Sequence, residues 1–200
     1  MLGSHSSSWL ETKVGVNMHL VKTRREFLVE ISGASVGILL VAKNSLADVG
    51  QAELAAKRSR VISACTKHWP DNQGDCSGFV RAVAQDLGFA LSGNANAIYT
   101  QVSKDPWIRI GIGTQALVTA GVTASEGKFV VAAEQGQNNG HVAVVADYRN
   151  AFDAYSQVDR DKAVAFWGKL HSTGAEYERI TRSWTTVDLQ RVLFAYQVIP

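Results

Sequence analysis

Two halves of this chain obey different hydrophobic periods, and that switch constrains the fold more than any figure for composition. From Val49 to Lys67, the residues Leu54, Ala55, Val61, Ile62 and Cys65 recur at helical spacing, while Lys57, Arg58 and Arg60 keep the opposite side soluble. The turn-prone run Pro70 to Gly74 stops that helix. A second helix opens at Cys76, with Val80, Val83, Ala84 and Leu87 on its apolar face, and closes near Gly88. Residues 89–105 are small and polar and read as a loop over the site, with Ala97-Ile98-Tyr99 as a short helical anchor within it. Trp107 to Ile110 reads as a short strand or a turn, and Thr114 to Ala120 as a helix stopped at Gly121. Beyond that the period shortens. Phe129 to Ala133 and His141 to Ala146 are apolar, β-rich runs joined by the Gly/Asn-rich segment Gly136 to Gly140, which makes them a hairpin. Further strands are expected at Val164 to Trp167, near Tyr177 to Thr181, and at Val192 to Ile199. Helices first and strands afterwards indicate an α+β fold with an antiparallel sheet.

With 200 residues, 46% of them apolar and 19% charged, the chain is an ordinary globular one that builds a single core. The small net charge of +2 sits in residues 1–47, and the remainder is balanced, so no basic surface for nucleic acid is indicated. Cys65 and Cys76 do not form a disulfide framework by count, and Cys65 reads as a small buried hydrophobe. Residues 1–47 resemble a twin-arginine export leader. Arg24-Arg25 precedes Phe27-Leu28, a short apolar stretch runs from Ile31 to Ala42, and Ser45-Leu46-Ala47 offers a small-x-small cleavage site. On that reading residues 48–200 form the exported, periplasmic domain, and Met18 is an alternative start.

The chemistry centres on Asp75-Cys76-Ser77-Gly78. Asp75 stands where an N-cap belongs, able to accept from the N–H of Ser77 or Gly78, and Cys76 then opens the helix. A thiol there feels the positive end of the helix dipole, which favours thiolate, although the Asp75 charge opposes it. A histidine partner is needed. His68 lies before the turn, His171 follows a strand in a polar stretch, and His141 opens a buried strand straight after Gly140. Position selects His141. Its side chain should share a strand face with Ala143 and Val145, a face narrow enough for the Cys76 helix to lie against. A Cys76–His141 contact can exist as a thiolate–imidazolium pair. The N–H of Cys76, in the Asp75–Ser77 region, would serve as oxyanion donor. No residues have metal-ligand spacing, and no organic cofactor is implied. Gly111-Ile112-Gly113 lacks the third glycine of a nucleotide loop.

Asp75-Cys76-Ser77-Gly78-Phe79, followed some sixty residues on by Asn139-Gly140-His141-Val142-Ala143-Val144-Val145, resembles the NlpC-type papain-like cysteine peptidases and amidases that cut peptidoglycan stem peptides. With Gly127 to Val145 and Ala165-Phe166-Trp167-Gly168 added, the chain is most similar to the peptidoglycan amidase effectors of type VI secretion and their relatives. The resemblance implies a papain-like fold with helices ahead of an antiparallel sheet, Cys76 as nucleophile, and His141 as base. It also implies a monomer acting on stem peptides, with an inhibitor or immunity protein as a partner. The family's third, histidine-orienting residue has no plain counterpart, because Val164 to Trp167 is apolar; His171 is the candidate. A module that binds wall fragments without cutting them is the alternative.

Overall fold

The computed structural model describes residues 36–148 and 163–200, with residues 36–48 described by backbone alone. The arginine pair and residues 31–35 of the apolar segment read as a leader lie outside the described residues, whereas residues 36–47 are helical and continuous with the helix expected from Val49. The chain divides into two units, Met1–Ala42 and Lys43–Pro200, and the second carries the sheet. Among the described residues five α-helices, α1 (Val36–His68), α2 (Cys76–Asp86), α3 (Ala95–Val102), α4 (Thr114–Ser125) and the one-turn α5 (Thr186–Leu189), accompany six strands. These are β1 (Ile108–Ile112), β2 (Phe129–Glu134), β3 (His141–Tyr148), β4 (Ala163–Lys169), β5 (Ser172–Arg179) and β6 (Leu193–Gln197). They form one antiparallel sheet in the order β1-β6-β2-β3-β4-β5. The α+β class is therefore as expected, and helices packed on an antiparallel sheet are consistent with a papain-like fold.

Both faces of the central strands are covered, which is why β2, β3 and β4 read as continuous apolar runs rather than alternating ones. One face buries Phe79, Val80 and Val83 of α2 and Ile98 and Val102 of α3 against Val142 and Val144 of β3. The other buries Ala116, Leu117 and Ala120 of α4 against Ala143 and Val145. Each large side chain sealed this way contributes roughly 1.5–3 kcal/mol.

Besides the earlier start of α1, three elements depart from the sequence expectation. Residues 95–102 form a helix because Asn94 caps it, its side chain accepting from the Ala97 N–H at 3.0 Å, and Ala95, Ile98 and Val102 bury one short stripe. Helix α4 runs on through Gly121 to Ser125, because Tyr148 closes onto the glycine. A Cβ at Gly121 would stand 2.9 Å from Tyr148 Cδ2. The helix is stopped instead by Gly127, whose φ of 77° lets the chain turn back. Third, β5 ends at Arg179, and Ile180–Arg182 is a 3-10 turn.

Asp147, at the bulge of β3, is buried and joins four elements. It pairs with Arg58 of α1, accepts from Ser125 Oγ of α4 at 2.9 Å and from Tyr177 Oη of β5 at 2.5 Å, and also accepts the Tyr148 N–H at 2.8 Å. Burial opposes its ionisation. The hydrogen bonds, led by that from Tyr177, together with the Arg58 charge outweigh burial and hold the carboxyl below its usual range.

Candidate active site

The thiol is placed by backbone. Asp75 is extended (φ −137°, ψ 101°), and its carboxylate accepts from the Gly78 N–H at 2.9 Å, so of the two cap partners expected it takes Gly78. The Phe79 N–H is taken by the Asp75 carbonyl at 3.0 Å. The N–H groups of Cys76 and Ser77 keep no acceptor among the described residues, as the first turn of a helix dictates. The turn ahead of Cys76 is fastened to the β4–β5 hairpin. The carbonyl of Gln73 accepts from the N–H groups of Lys169 and Gly174 at 2.8 and 3.0 Å, and Trp69 Nε1 donates to the Trp167 carbonyl at 3.1 Å. Gly168 lies flush beneath this turn; a Cβ there would sit 2.2 Å from the Asn72 carbonyl oxygen.

Cys76 is 8% exposed and opens into a cleft of about 290 Å³. Asp75, Ser77 and Arg81 form one wall, Gly93, Asn94 and Ala95 another, and Asn139, Gly140 and Leu170 complete it. The sulfur's hydrogen-bond contact is Ser77 Oγ at 3.9 Å. Cys65 is also a free thiol, but it is fully buried in the core, which pushes its pKa well up and leaves it inert.

His141 is the first residue of β3, opposite Glu134 of β2. Its Nε2 lies 2.6 Å from Ser183 Oγ, and its ring centroid is 4.7 Å from that of Trp184. Trp184 Nε1 donates to Glu134 at 2.9 Å, and Arg191 holds the same carboxylate at 2.7 Å. Burial, with the positive charge of Lys169 added, lowers the His141 pKa to about 4, so the imidazole is neutral at pH 7. The expected imidazolium partner of a thiolate is not the resting state in this geometry. A second cleft of about 560 Å³ lies beside His141, bordered by Glu134, Gly136, Asp188 and Arg191, and shares Asn139 and Gly140 with the cleft of Cys76.

The thiol and the imidazole are placed by a packing that the strand pattern did not indicate. The side of β3 bearing Ala143 and Val145 receives α4, whereas α2 and Cys76 pack with Val142 and Val144. A strand that is apolar on both faces carries no signal for which helix takes which face. By alternation His141 belongs with Ala143 and Val145, where it meets Trp184. Thiol and imidazole thus flank the Gly140 end of β3 from opposite faces of the sheet. Among the described residues no hydrogen bond joins them.

Of the other histidines, His68 pairs with Asp86 at the far end of α2, at 2.9 Å. His171 occupies the exposed turn between β4 and β5 with φ 60°. Among the described residues the group that holds His141 is Ser183, with Trp184 against its ring. Glu134 alone of this cluster was open to sequence reasoning, since the hairpin register sets it opposite His141. Ser183 arrives from beyond β5 with no local signal. Among the described residues no group of three or more metal-ligating side chains is assembled, and no helix is long and apolar enough to cross a membrane.

No family model matches the chain. It is similar to the peptidoglycan amidase Tse1 of Pseudomonas aeruginosa, at 34% identity over 93 residues, which cover 42% of this chain and 57% of that protein. The chain thus spans somewhat over half the length of the curated relative it matches.

Proposed function

We propose that this chain is a peptidoglycan amidase that hydrolyses an amide bond of a cell-wall stem peptide, with Cys76 as nucleophile and His141 as the proton-transfer group. The observation that carries this reading is the thiol itself. It stands at the start of α2, beside two N–H groups without acceptors, in a cleft whose far wall at Gly140 leads directly to His141. The similarity to an amidase supplies the substrate class.

In the proposed reaction the carbonyl oxygen of the substrate turns toward the N–H groups of Cys76 and Ser77, which stabilise it as negative charge develops. The sulfur bonds to the carbonyl carbon while its proton passes to His141. Because Ser183 engages Nε2, Nδ1 is the nitrogen left for the thiol. The protonated imidazole then delivers that proton to the departing amine as the C–N bond breaks. Water, deprotonated by the same imidazole, attacks the thioester and returns Cys76 as a thiol. The two side chains must meet at the end of β3, beyond its last pair, where the sheet no longer separates its faces and Gly140 presents no side chain.

The test is release of soluble muropeptides from purified sacculi. Wild type should release them and Cys76→Ala should not, with an unchanged circular dichroism spectrum; turnover by Cys76→Ala would overturn the reading. Dibromoacetone, which can bridge a sulfur and an imidazole nitrogen, should cross-link Cys76 to His141. A module that holds wall fragments without cutting them has one observation in favour: Cys76 and His141 are each engaged elsewhere. That module would leave sacculi uncut and would label with iodoacetamide only at the rate of an ordinary thiol.

Location and partner belong to the same proposal. Residues 1–47 act as a twin-arginine leader that carries the domain to the periplasm, and an inhibitor or immunity protein would cover the Cys76 cleft. A folded reporter fused to residues 1–47 should reach the periplasm only in cells with a working twin-arginine translocase.

A further inference from the structure

The cleft that holds the thiol also holds one guanidinium, and nothing in the proposed reaction uses it. Arg81 lies on α2 a little over one turn beyond Cys76 and is the cation among the residues lining this cleft. Its Nε donates to the Ser77 carbonyl at 3.2 Å, so the side chain folds back toward the start of the helix, in the direction of the sulfur. The nearest carboxylate is that of Asp75, at 4.0 Å, beyond hydrogen-bond distance, and its other oxygen caps the Gly78 N–H. Arg81 is therefore hydrogen-bonded at one nitrogen, and its terminal nitrogens make no hydrogen bond among the described residues, Nη2 standing in a long ion pair with Asp75. At 43% exposure it is open to the cleft. A guanidinium fixed at Nε presents its two terminal nitrogens in the geometry that matches a carboxylate in two parallel hydrogen bonds. Five residues of helix place its Cα roughly 7.5 Å along the axis from that of Cys76, and the back-folded side chain shortens the gap. That is the span of one or two residues of an extended peptide, each about 3.3–3.6 Å.

We propose that Arg81 determines which amides are cut, by binding a free carboxylate of the substrate within one or two residues of the scissile bond. This rests on the amidase reading and adds its substrate chemistry: an anionic peptide, recognised by charge and planarity, in preference to the same peptide with its carboxylate amidated. Asn139, exposed on the opposite wall, bounds the channel through which that peptide runs.

The test uses two stem peptides that differ only in whether the carboxylates are free or amidated. Wild type should cut the free-acid form with a kcat/KM about tenfold to a hundredfold higher, the range expected for charged hydrogen bonds. Arg81→Gln should cut the two forms at similar rates, with the loss on the acid form appearing mainly in KM, and Arg81→Lys should restore part of the preference. A wild type with no preference, or an Arg81→Gln variant that keeps it, would overturn the proposal. If wild type cuts neither form, the amidase reading has failed and binding decides Arg81 on its own. Calorimetry on Cys76→Ala and on Cys76→Ala/Arg81→Gln should then show tighter binding of the acid form only while Arg81 is present, and equal binding would overturn it.

Discussion

The two ends of the candidate site are built in opposite ways. Around Cys76 the work is done by backbone: a capped helix start, a turn whose carbonyl takes two strand N–H groups, and a glycine that lets that turn sit flush on β4. Around His141 it is done by side chains gathered from far along the sequence, with Ser183, Trp184, Glu134 and Arg191 forming one connected set. The first kind of site is rigid and tolerates few substitutions in its frame. The second is tunable, since any one member can change without moving the chain.

That contrast can be broken or sharpened by substitution. The largest effect is expected at the two groups proposed to react. His141→Ala should cost amidase activity on sacculi as severely as Cys76→Ala, because groups that act as a unit are lost together. Next comes the backbone end. Gly168→Ala forces a carbon into the Asn72 carbonyl and should destabilise the domain by about 1–3 kcal/mol, read as a lower urea midpoint. It should also slow alkylation of Cys76 as the turn is displaced. The side-chain end should respond more mildly. Ser183→Ala should lower kcat by roughly three- to tenfold, the worth of one hydrogen bond, and Ser183→Thr should recover most of it.

The remaining effect is electrostatic. With a native pKa of about 4, His141 stays neutral down to that pH, so if it is the base proposed above the acid limb of kcat/KM should fall near 4 rather than near 6.5. Lys169→Ala removes a nearby positive charge and should move that limb upward. For stability the sign follows from the same value. Between about 4 and 6.5 the unfolded chain binds a proton that native His141 refuses, so stability rises with pH across that window. Urea unfolding at stepped pH, compared with His141→Gln, isolates this contribution.

The same division explains what the amino-acid order disclosed. Helix α2, its Asp75 cap and the β2–β3 hairpin were legible because each is written in consecutive residues. Helix α3 was legible only at its centre, Ala97-Ile98-Tyr99, since its apolar stripe of Ala95, Ile98 and Val102 is short and set among small polar residues. Gly121 misled, because a glycine at a close approach looks like a glycine at a helix end, and only Tyr148 distinguishes them. The faces of β3 were illegible for the reason already given, and with them the side from which α2 approaches. Ser183 was out of reach, since nothing near it in sequence says that Ile180–Arg182 will carry it to the imidazole.

Asn96 has a consequence for how the cleft holds its width. Its amide donates to the Gly136 carbonyl at 2.8 Å and accepts the Gly136 N–H at 3.0 Å, the same exchange a neighbouring strand would make. One side chain thereby lets a helix stand in for a strand, and it ties α3 to the loop leading to Gly140. Exchanging that amide's NH2 for a carboxylate oxygen, a difference of one heavy atom, would set two oxygens face to face and unlatch the wall of the cleft from its roof.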